Sequence, residues 1–242
     1  MSGKGLALTD RDRAVVREVA RFGVMTRQQL VRLGLFSSKT RANERLKRLV
    51  DAGHLAAKRQ PIPVGGPRQL YFPSRSAPDG SRRRLDASDV FLAHQLGLVD
   101  VRLAFEQYTE LVRWLSDKDL ADLSLGLVPD AYVEFEVGAL MYCAFVEYDR
   151  GTETSGRVER KVRAYVDLAR SGRFERTFGR RFFRLLLVTD SPGRLTTLSR
   201  AVLHITDRIV RITTLSKLSE KGPNAAIWLR PGAQVQESLT NS

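Results

Sequence analysis

The chain has 242 residues, of which 43% are hydrophobic and 28% charged, with a net charge of +13 and one cysteine. That balance is the one expected of an ordinary globular protein. It excludes an intrachain disulfide and a thiolate metal cage, since Cys143 has no partner. No apolar run approaches the roughly 18 residues that a membrane span needs. The segment "FFRLLLV" at 182–188 is interrupted by Arg184 and suits a buried strand. The opening "MSGKGLALTD" lacks the apolar core of a signal peptide. A cytoplasmic protein with no membrane partner is therefore expected.

The charge is unevenly distributed. Residues 1–75 hold 16 Lys and Arg against 5 Asp and Glu, a net of +11, whereas residues 76–242 hold 24 against 22, a net of +2. A basic field confined to one third of the chain is the electrostatic footprint of a nucleic-acid binder.

In chain order, "LTDRDRAVVREVARFG" predicts a helix with Thr9 as its N-cap, Asp12 three residues on, and Gly23 at its end. Val15, Val16, Val19 and Phe22 share its inner face. "MTRQQLVRLGL" predicts a second helix opened by a Thr26–Gln29 capping box. "SSKTRANERLKRLVDAG" predicts a third, capped by Ser37 or Ser38, with Ala42, Leu46, Leu49 and Val50 as its buried stripe. Two short strands follow, 54–60 and 68–72, around a Pro- and Gly-rich tip from Pro61 to Pro67.

Three short helices and a hairpin form the winged version of the helix-turn-helix, whose third helix enters the major groove of double-stranded DNA. The outward residues of that helix, Lys39, Thr40, Arg41, Asn43, Lys47 and Arg48, with Arg45 beside them, are the candidate DNA-binding set. Arg27 on the second helix and Lys58, Arg59 and Arg68 on the wing complete it. Arg matches guanine and Asn matches adenine through paired hydrogen bonds.

The expected layout is a winged-helix domain at 1–75, a basic linker at 76–87 containing Arg82–Arg84, and an α/β domain at 88–232. A polar tail at 233–242 is expected to be disordered. A helix over 88–115, apolar around a wide arc, suggests burial on two sides and a homodimer. Beyond it, strands near 128–137, 140–149, 182–189, 209–214 and 225–230 alternate with helices near 156–171 and 193–206, an α/β arrangement.

In "VPDAYVEFEVGALMYCAFVEYDRGTE", Gly138 and Ala139 suit a two-residue hairpin turn. Val137 then pairs with Leu140, Tyr132 with Phe145, and Asp130 with Glu147. Carboxylates placed opposite one another repel, and Asp149 lies on the same face two residues on. A bound Mg²⁺ or Mn²⁺ would offset three such acids. An exposed acidic edge offset by arginines such as Arg150 is the alternative, and Glu134 and Glu136 on the same side favour it.

The elements "PDAYVEF", "FVEYDRGTE" and "RKVRAY" resemble the second domain of the replication-relaxation family of plasmids and other mobile elements. The resemblance implies a winged helix followed by a domain similar to PD-(D/E)xK nucleases, acting on DNA in replication, relaxation or transfer. It implies metal ligands at Asp130 and Glu147, with Asp149 as a further acid. The family's lysine is expected where Asp149 stands, so Lys161 on the next helix becomes the candidate replacement. Two functions are expected from it: a DNA-binding protein whose nuclease-like domain serves dimerisation or partner contact, or a metal-dependent nickase using Asp130, Glu147, Asp149 and Lys161. A third reading, a ligand-responsive transcriptional regulator, has no phosphate loop or aromatic cage to name its ligand.

Overall fold

The structure is a computed structural model and describes residues 6–61, 66–74 and 87–240. The chain is a mixed α+β protein that divides into two compact units, Met1–Val99 and Asp100–Ser242. The linker expected at 76–87 and most of the wing tip fall largely outside the described residues.

In the first unit, helices α1 (Asp10–Phe22), α2 (Arg27–Arg32) and α3 (Lys39–Asp51) surround a small antiparallel sheet. Its strands are β1 (Met25–Thr26), β2 (Leu55–Gln60) and β3 (Arg68–Pro73), in the order β1-β3-β2. Local chemistry sets the helix starts. Thr9 and Asp12 form a reciprocal capping box on α1, Thr26 and Gln29 form one on α2, and Ser38 caps α3. Gly23 closes α1 with a φ of 76°, a left-handed conformation that favours glycine. Val15, Val19, Leu30, Ala42, Leu46 and Leu49 are fully buried, which supplies the unit's driving force for folding. Strand β1 escapes sequence reading because two residues show no periodicity.

Asp12 is also the hub of this unit. Its carboxylate accepts from the backbone and hydroxyl of Thr9 at 2.7 and 2.6 Å, and Arg45 of α3 donates its Nε to it at 2.7 Å. The Arg45 guanidinium holds the Asp12 carboxyl well below the usual carboxylate range. The pair fastens the start of α1 to the middle of α3.

Helix α4 (Asp89–Tyr108) follows, and Leu92 and Leu96 on its first turns pack with Val24, Leu70 and Phe72. The helix expected to reach residue 115 stops at Tyr108, and strand β4 (Glu110–Ser116) takes its place. Thr109 bonds its hydroxyl back to the Phe105 carbonyl at 2.8 Å. The residues beyond it, including Val112 and Trp114, are strand formers that pair with the sheet. Leu92, Leu96, Val99, Leu103 and Phe105 are buried within the chain, Phe91 and Leu98 are half-buried, and Val112, now on β4, is 50% exposed.

The second unit is built on a seven-stranded mixed sheet. Its strands are β4, β5 (Ala131–Val137), β6 (Leu140–Asp149), β7 (Arg184–Thr189), β8 (Val210–Thr214), β9 (Trp228–Leu229) and β10 (Gln236–Glu237), in the order β10-β9-β8-β7-β6-β5-β4. Strands β6, β7 and β8 run parallel and the remaining pairings are antiparallel. Helices α5 (Asp117–Ala121), α6 (Ser155–Arg170), α7 (Arg173–Phe178), α8 (Pro192–Val202) and α9 (Leu215–Lys221) complete it.

The β5–β6 hairpin has Val137 opposite Leu140 and Tyr132 opposite Phe145, with Gly138 at a φ of 62° in the turn. One face of the sheet packs Phe145, Leu185, Leu187 and Ile212 against Val158, Val162 and Tyr165 of α6 and Leu195 and Leu198 of α8. Tyr132, Phe174, Phe178 and Phe183 join them, with Tyr132 stacked on Phe178 at 4.2 Å between ring centres. The tail expected to be disordered instead contains β10, whose Gln236 and Glu237 pair with Leu229 and Trp228. Leu239 is 3% exposed. A short polar strand is stabilised here by its partner rather than by its own pattern. Among the described residues no helix is long and apolar enough to cross a membrane.

The Asp12–Arg45 pair yields an expected outcome. Arg45→Ala strands a buried carboxylate and lowers the unfolding free energy of the first unit by about 3 kcal/mol. Urea titration of the full chain, followed by a probe in that unit, checks it; a loss of a few tenths would make the pair a surface interaction.

Candidate functional site

The end of the sheet where β6 stops gathers three acids, of which Glu147 and Asp149 are buried and Asp130 is half-buried. The hairpin register, Ala131 opposite Val146, carries Asp130 alongside Glu147 one position further on. Asp130 accepts from the Tyr148 backbone N–H at 2.9 Å. Glu147 is 3% exposed. One of its oxygens accepts from the Tyr165 hydroxyl at 2.5 Å and the other from the Lys161 ammonium at 2.6 Å. Lys161 also lies 3.4 Å from Glu153. Both Lys161 and Tyr165 come from α6, one turn apart, on the side of the helix that carries Val158 and Val162.

Burial, and next the charge of Asp130, raise the Glu147 carboxyl from its ordinary 4.5 to about 7, against the lowering effect of Lys161 and Tyr165. Burial opposes the Lys161 ammonium, but the charges of Glu147 and Asp130 outweigh it and raise its pKa. Burial and Glu147 likewise raise the Tyr165 phenol, which stays a neutral donor.

Asp149 does something else. One of its oxygens accepts from Gly151 N–H at 2.6 Å, and the other takes Nε and Nη2 of Arg194 at 2.8 and 2.5 Å. Arg194 also donates to the Glu153 carbonyl at 2.7 Å. Asp149 and Arg194 thus close the loop between β6 and α6. The expected convergence of Asp130, Glu147 and Asp149 as three metal ligands is corrected on this point: among the described residues no group of three or more His, Cys, Asp or Glu is arranged to hold a metal. The guanidinium neutralises Asp149, so no cation is required to offset it. The remaining donors, Asp130 and Glu147, still fit Mg²⁺ or Mn²⁺ chemically, because such ions are commonly held by one or two carboxylates together with substrate phosphates. Glu134 is a separate case, buried against Tyr132 at 2.9 Å and Arg180 at 3.2 Å.

The second candidate site is the outer face of α3. Lys39, Thr40, Arg41, Asn43, Lys47 and Arg48 are exposed there, as is Arg59 on β2. Arg41, Lys47 and Arg48 line an open depression of about 560 Å³ with Glu44, Arg45 and Arg11 of α1. Lys47 pairs with Asp51 at 2.6 Å, and Arg27 donates to the Asn43 carbonyl at 2.7 Å. Two residues of the expected set are turned inward. Arg45 is committed to Asp12, with 15% of its side chain exposed, and Arg68 donates to Gln60 at 2.8 Å. Lys58 is half-buried.

Sequence reading misses Arg11, Tyr165 and Arg194. Tyr165 has a signal, standing four residues after Lys161 on one helical face. Arg194 has none, since its partner lies 45 residues away.

The replication-relaxation family model matches residues 16–181. The chain belongs to the replication-relaxation family. No curated protein matches it. Among solved structures it is similar to restriction endonuclease FokI, at 13% identity and a TM-score of 0.37, and to FokI bound to DNA, at 13% and 0.31. Each similarity covers 90% of this chain and 45% of FokI, so this chain spans less than half of that protein. The match to the replication-relaxation family takes in Asp130, Glu147, Asp149 and Lys161 together with α3, and ends before Arg194.

The raised Glu147 carboxyl fixes a sign. The folded chain keeps this proton from about pH 4.5 to about 7 while the unfolded chain has released it. The stability contributed by this group is therefore lost as pH rises through that window. Relative to Glu147→Gln, the wild type is expected to lose stability between about pH 4.5 and about pH 7, as measured by urea titration at each pH. A difference constant with pH would mean that Glu147 is ionised throughout.

Proposed function

We propose that this protein binds double-stranded DNA through its first unit, as a winged helix, in the replication or relaxation of a plasmid or other mobile element. The observation that carries this reading is the exposed cationic face of α3, with Lys39, Arg41, Lys47 and Arg48 on the helix that this topology presents to the major groove. The localisation of net charge in the same unit supports it. Membership of the replication-relaxation family agrees in process. The second unit then serves as a nuclease-like domain joined to that DNA-binding unit.

A second reading concerns that domain, and the contact between Lys161 and Glu147 at 2.6 Å favours it. Asp130, Glu147 and Lys161 supply the two acids and the lysine of the PD-(D/E)xK pattern, with the lysine provided by α6 instead of β6. In this reading Asp130 and Glu147 would hold a divalent metal, which lowers the pKa of bound water and stabilises charge on a phosphate. Lys161 contributes a fixed positive charge beside both acids, and Tyr165 holds Glu147 in place. Incubation of supercoiled plasmid with EDTA, Mg²⁺ or Mn²⁺ tests it. Metal-dependent nicking that Asp130→Ala abolishes is the supporting result, and intact plasmid in every metal leaves the domain as a binding element.

The DNA-binding reading is tested by titrating duplex DNA at several salt concentrations. Affinity is expected to fall steeply with salt, with a log–log slope near −0.9 for each phosphate neutralised. The variant Lys39→Ala/Arg48→Ala is expected to make that slope shallower by about 2. A flat salt response would remove phosphate contact by this unit.

A further inference from the structure

The second unit carries an aromatic ring that its own core does not use. Phe182 is 81% exposed, the most exposed large hydrophobic side chain among the described residues. It stands two residues before β7, between the exposed Arg181 and Phe183, which is buried among Phe145, Tyr165 and Phe174. Phe183 anchors the segment, and the Phe182 carbonyl accepts from Cys143 Sγ at 2.8 Å. The ring is therefore displayed on a backbone that two contacts hold in place.

The surroundings are basic. Residues 170–184, "RSGRFERTFGRRFFR", hold six arginines against one glutamate, a net of +5, within a stretch, 76–242, whose net is +2. Arg180 is paired with the buried Glu134 at 3.2 Å and belongs to the structure. Arg181 lies 3.9 Å from Glu175 with both side chains mostly exposed, a pair that water screens and that holds the cation loosely. Arg184 donates to the backbone carbonyl of Arg208 at 3.1 Å, which brings Arg208, two residues before β8, to the same end of the sheet. A bond to a neutral carbonyl leaves the charge of Arg184 uncompensated. Against the acids Glu175 and Asp207 stand Arg176, Arg181, Arg184 and Arg208.

A second copy of the chain suits this surface poorly, because a two-fold contact sets a patch against itself and here would bury cation against cation. A phosphate backbone suits the arginines. Duplex DNA suits the ring poorly, since paired bases present edges to the grooves and keep their faces stacked. An unpaired strand offers phosphates and open base faces together, which is the chemistry that an aromatic platform beside a cationic track recognises. Replication exposes such a strand, and the chain belongs to a replication-relaxation family. The register separates this place from the acidic corner: Glu147 pairs with Leu187, five residues and about 17 Å along the strand from Phe182.

We propose that Phe182, with Arg181, Arg184 and Arg208, forms a stacking site for single-stranded DNA in the second unit. This goes beyond the duplex reading of α3 and does not depend on it.

The test uses the full-length chain and a fluorescent oligothymidylate of about 16 nucleotides, followed by anisotropy beside a duplex of the same length. Phe182→Ala is expected to weaken binding of the single strand by about tenfold, the scale of one stacked base, and to leave duplex affinity unchanged. Phe182→Leu keeps apolar bulk without a π-face and is expected to behave like Phe182→Ala. Phe182→Trp is expected to bind at least as well as the wild type. Arg181→Ala is expected to make the single-strand salt slope shallower by about 0.7. The Phe182 side chain lies outside the core, so its variants are expected to keep the wild-type melting temperature. Unchanged single-strand affinity in Phe182→Ala overturns the proposal, as does failure of the wild type to bind the single strand at low salt. An equal loss on duplex and single strand overturns it too, because the ring then wedges between paired bases. If Phe182→Leu retains wild-type affinity, the ring is not a stacking surface and the proposal fails. If Phe182→Ala halves the mass seen by light scattering and leaves DNA affinity intact, the ring belongs to a protein interface instead.

Discussion

A carboxylate that is 3% exposed, as Glu147 is, is tolerated only with partners close enough to replace water. Glu147 has two, and both come from α6. Tyr165 takes one oxygen and Lys161 the other, so the helix is fastened to the strand by a carboxylate with both oxygens in use. The aliphatic packing of Val158 and Val162 is non-directional and would permit α6 to slide or rotate by small amounts. The two polar contacts would not, because hydrogen bonds weaken steeply with misalignment. Removing one partner of such a buried pair typically costs about 3–5 kcal/mol, more than the pair adds over apolar residues of similar size. The network therefore specifies where α6 sits more than it stabilises the fold. The same constraint brings Lys161 beside Asp130, a residue 31 positions earlier in the chain, as any chemistry at this corner would require.

Much of this architecture was legible in the sequence, for identifiable reasons. The register of the β5–β6 hairpin follows from one turn: once Gly138 and Ala139 reverse the chain, a period of two determines every pair back to Tyr132 and Phe145. The helix starts follow from capping residues that act over three positions. What escaped was governed by distance along the chain. Asp149 looked like a metal ligand because its neighbours in sequence are acidic, and its actual partner, Arg194, is 45 residues away. Arg45 looked like a DNA contact because it lies among exposed cations, and its partner, Asp12, is 33 residues away. Pattern reading sees faces and turns. It does not see which of many arginines closes onto which acid.

The boundary of α4 failed for a different reason. Leu111 follows Leu103 by eight residues and Val112 follows Phe105 by seven, so a period of 3.6 extends past the true end without contradiction. The same residues are good strand formers, and the choice between the two states is made by the neighbouring strand. β5 offers β4 a pairing edge from Glu110 to Ser116. Tertiary context overrides a local pattern that both states satisfy. The tail repeats the lesson at smaller scale, because Gln236 and Glu237 have no strand signal of their own and pair only because β9 lies beside them.

The first unit shows how one set of charged residues divides between buried pairs and exposed surface. Arg45 sits in the middle of α3 but spends most of its guanidinium on the buried Asp12, and only 15% of its side chain is exposed. Its removal sharpens the remaining pattern. Lys39, Asn43 and Lys47 follow one line of the helix at four-residue spacing, and Arg41 and Arg48 lie at a seven-residue spacing on another. Arg27 at the start of α2 donates to the Asn43 carbonyl, so the same division is made a second time, with a cation held by a neighbour on α3 instead of facing solvent.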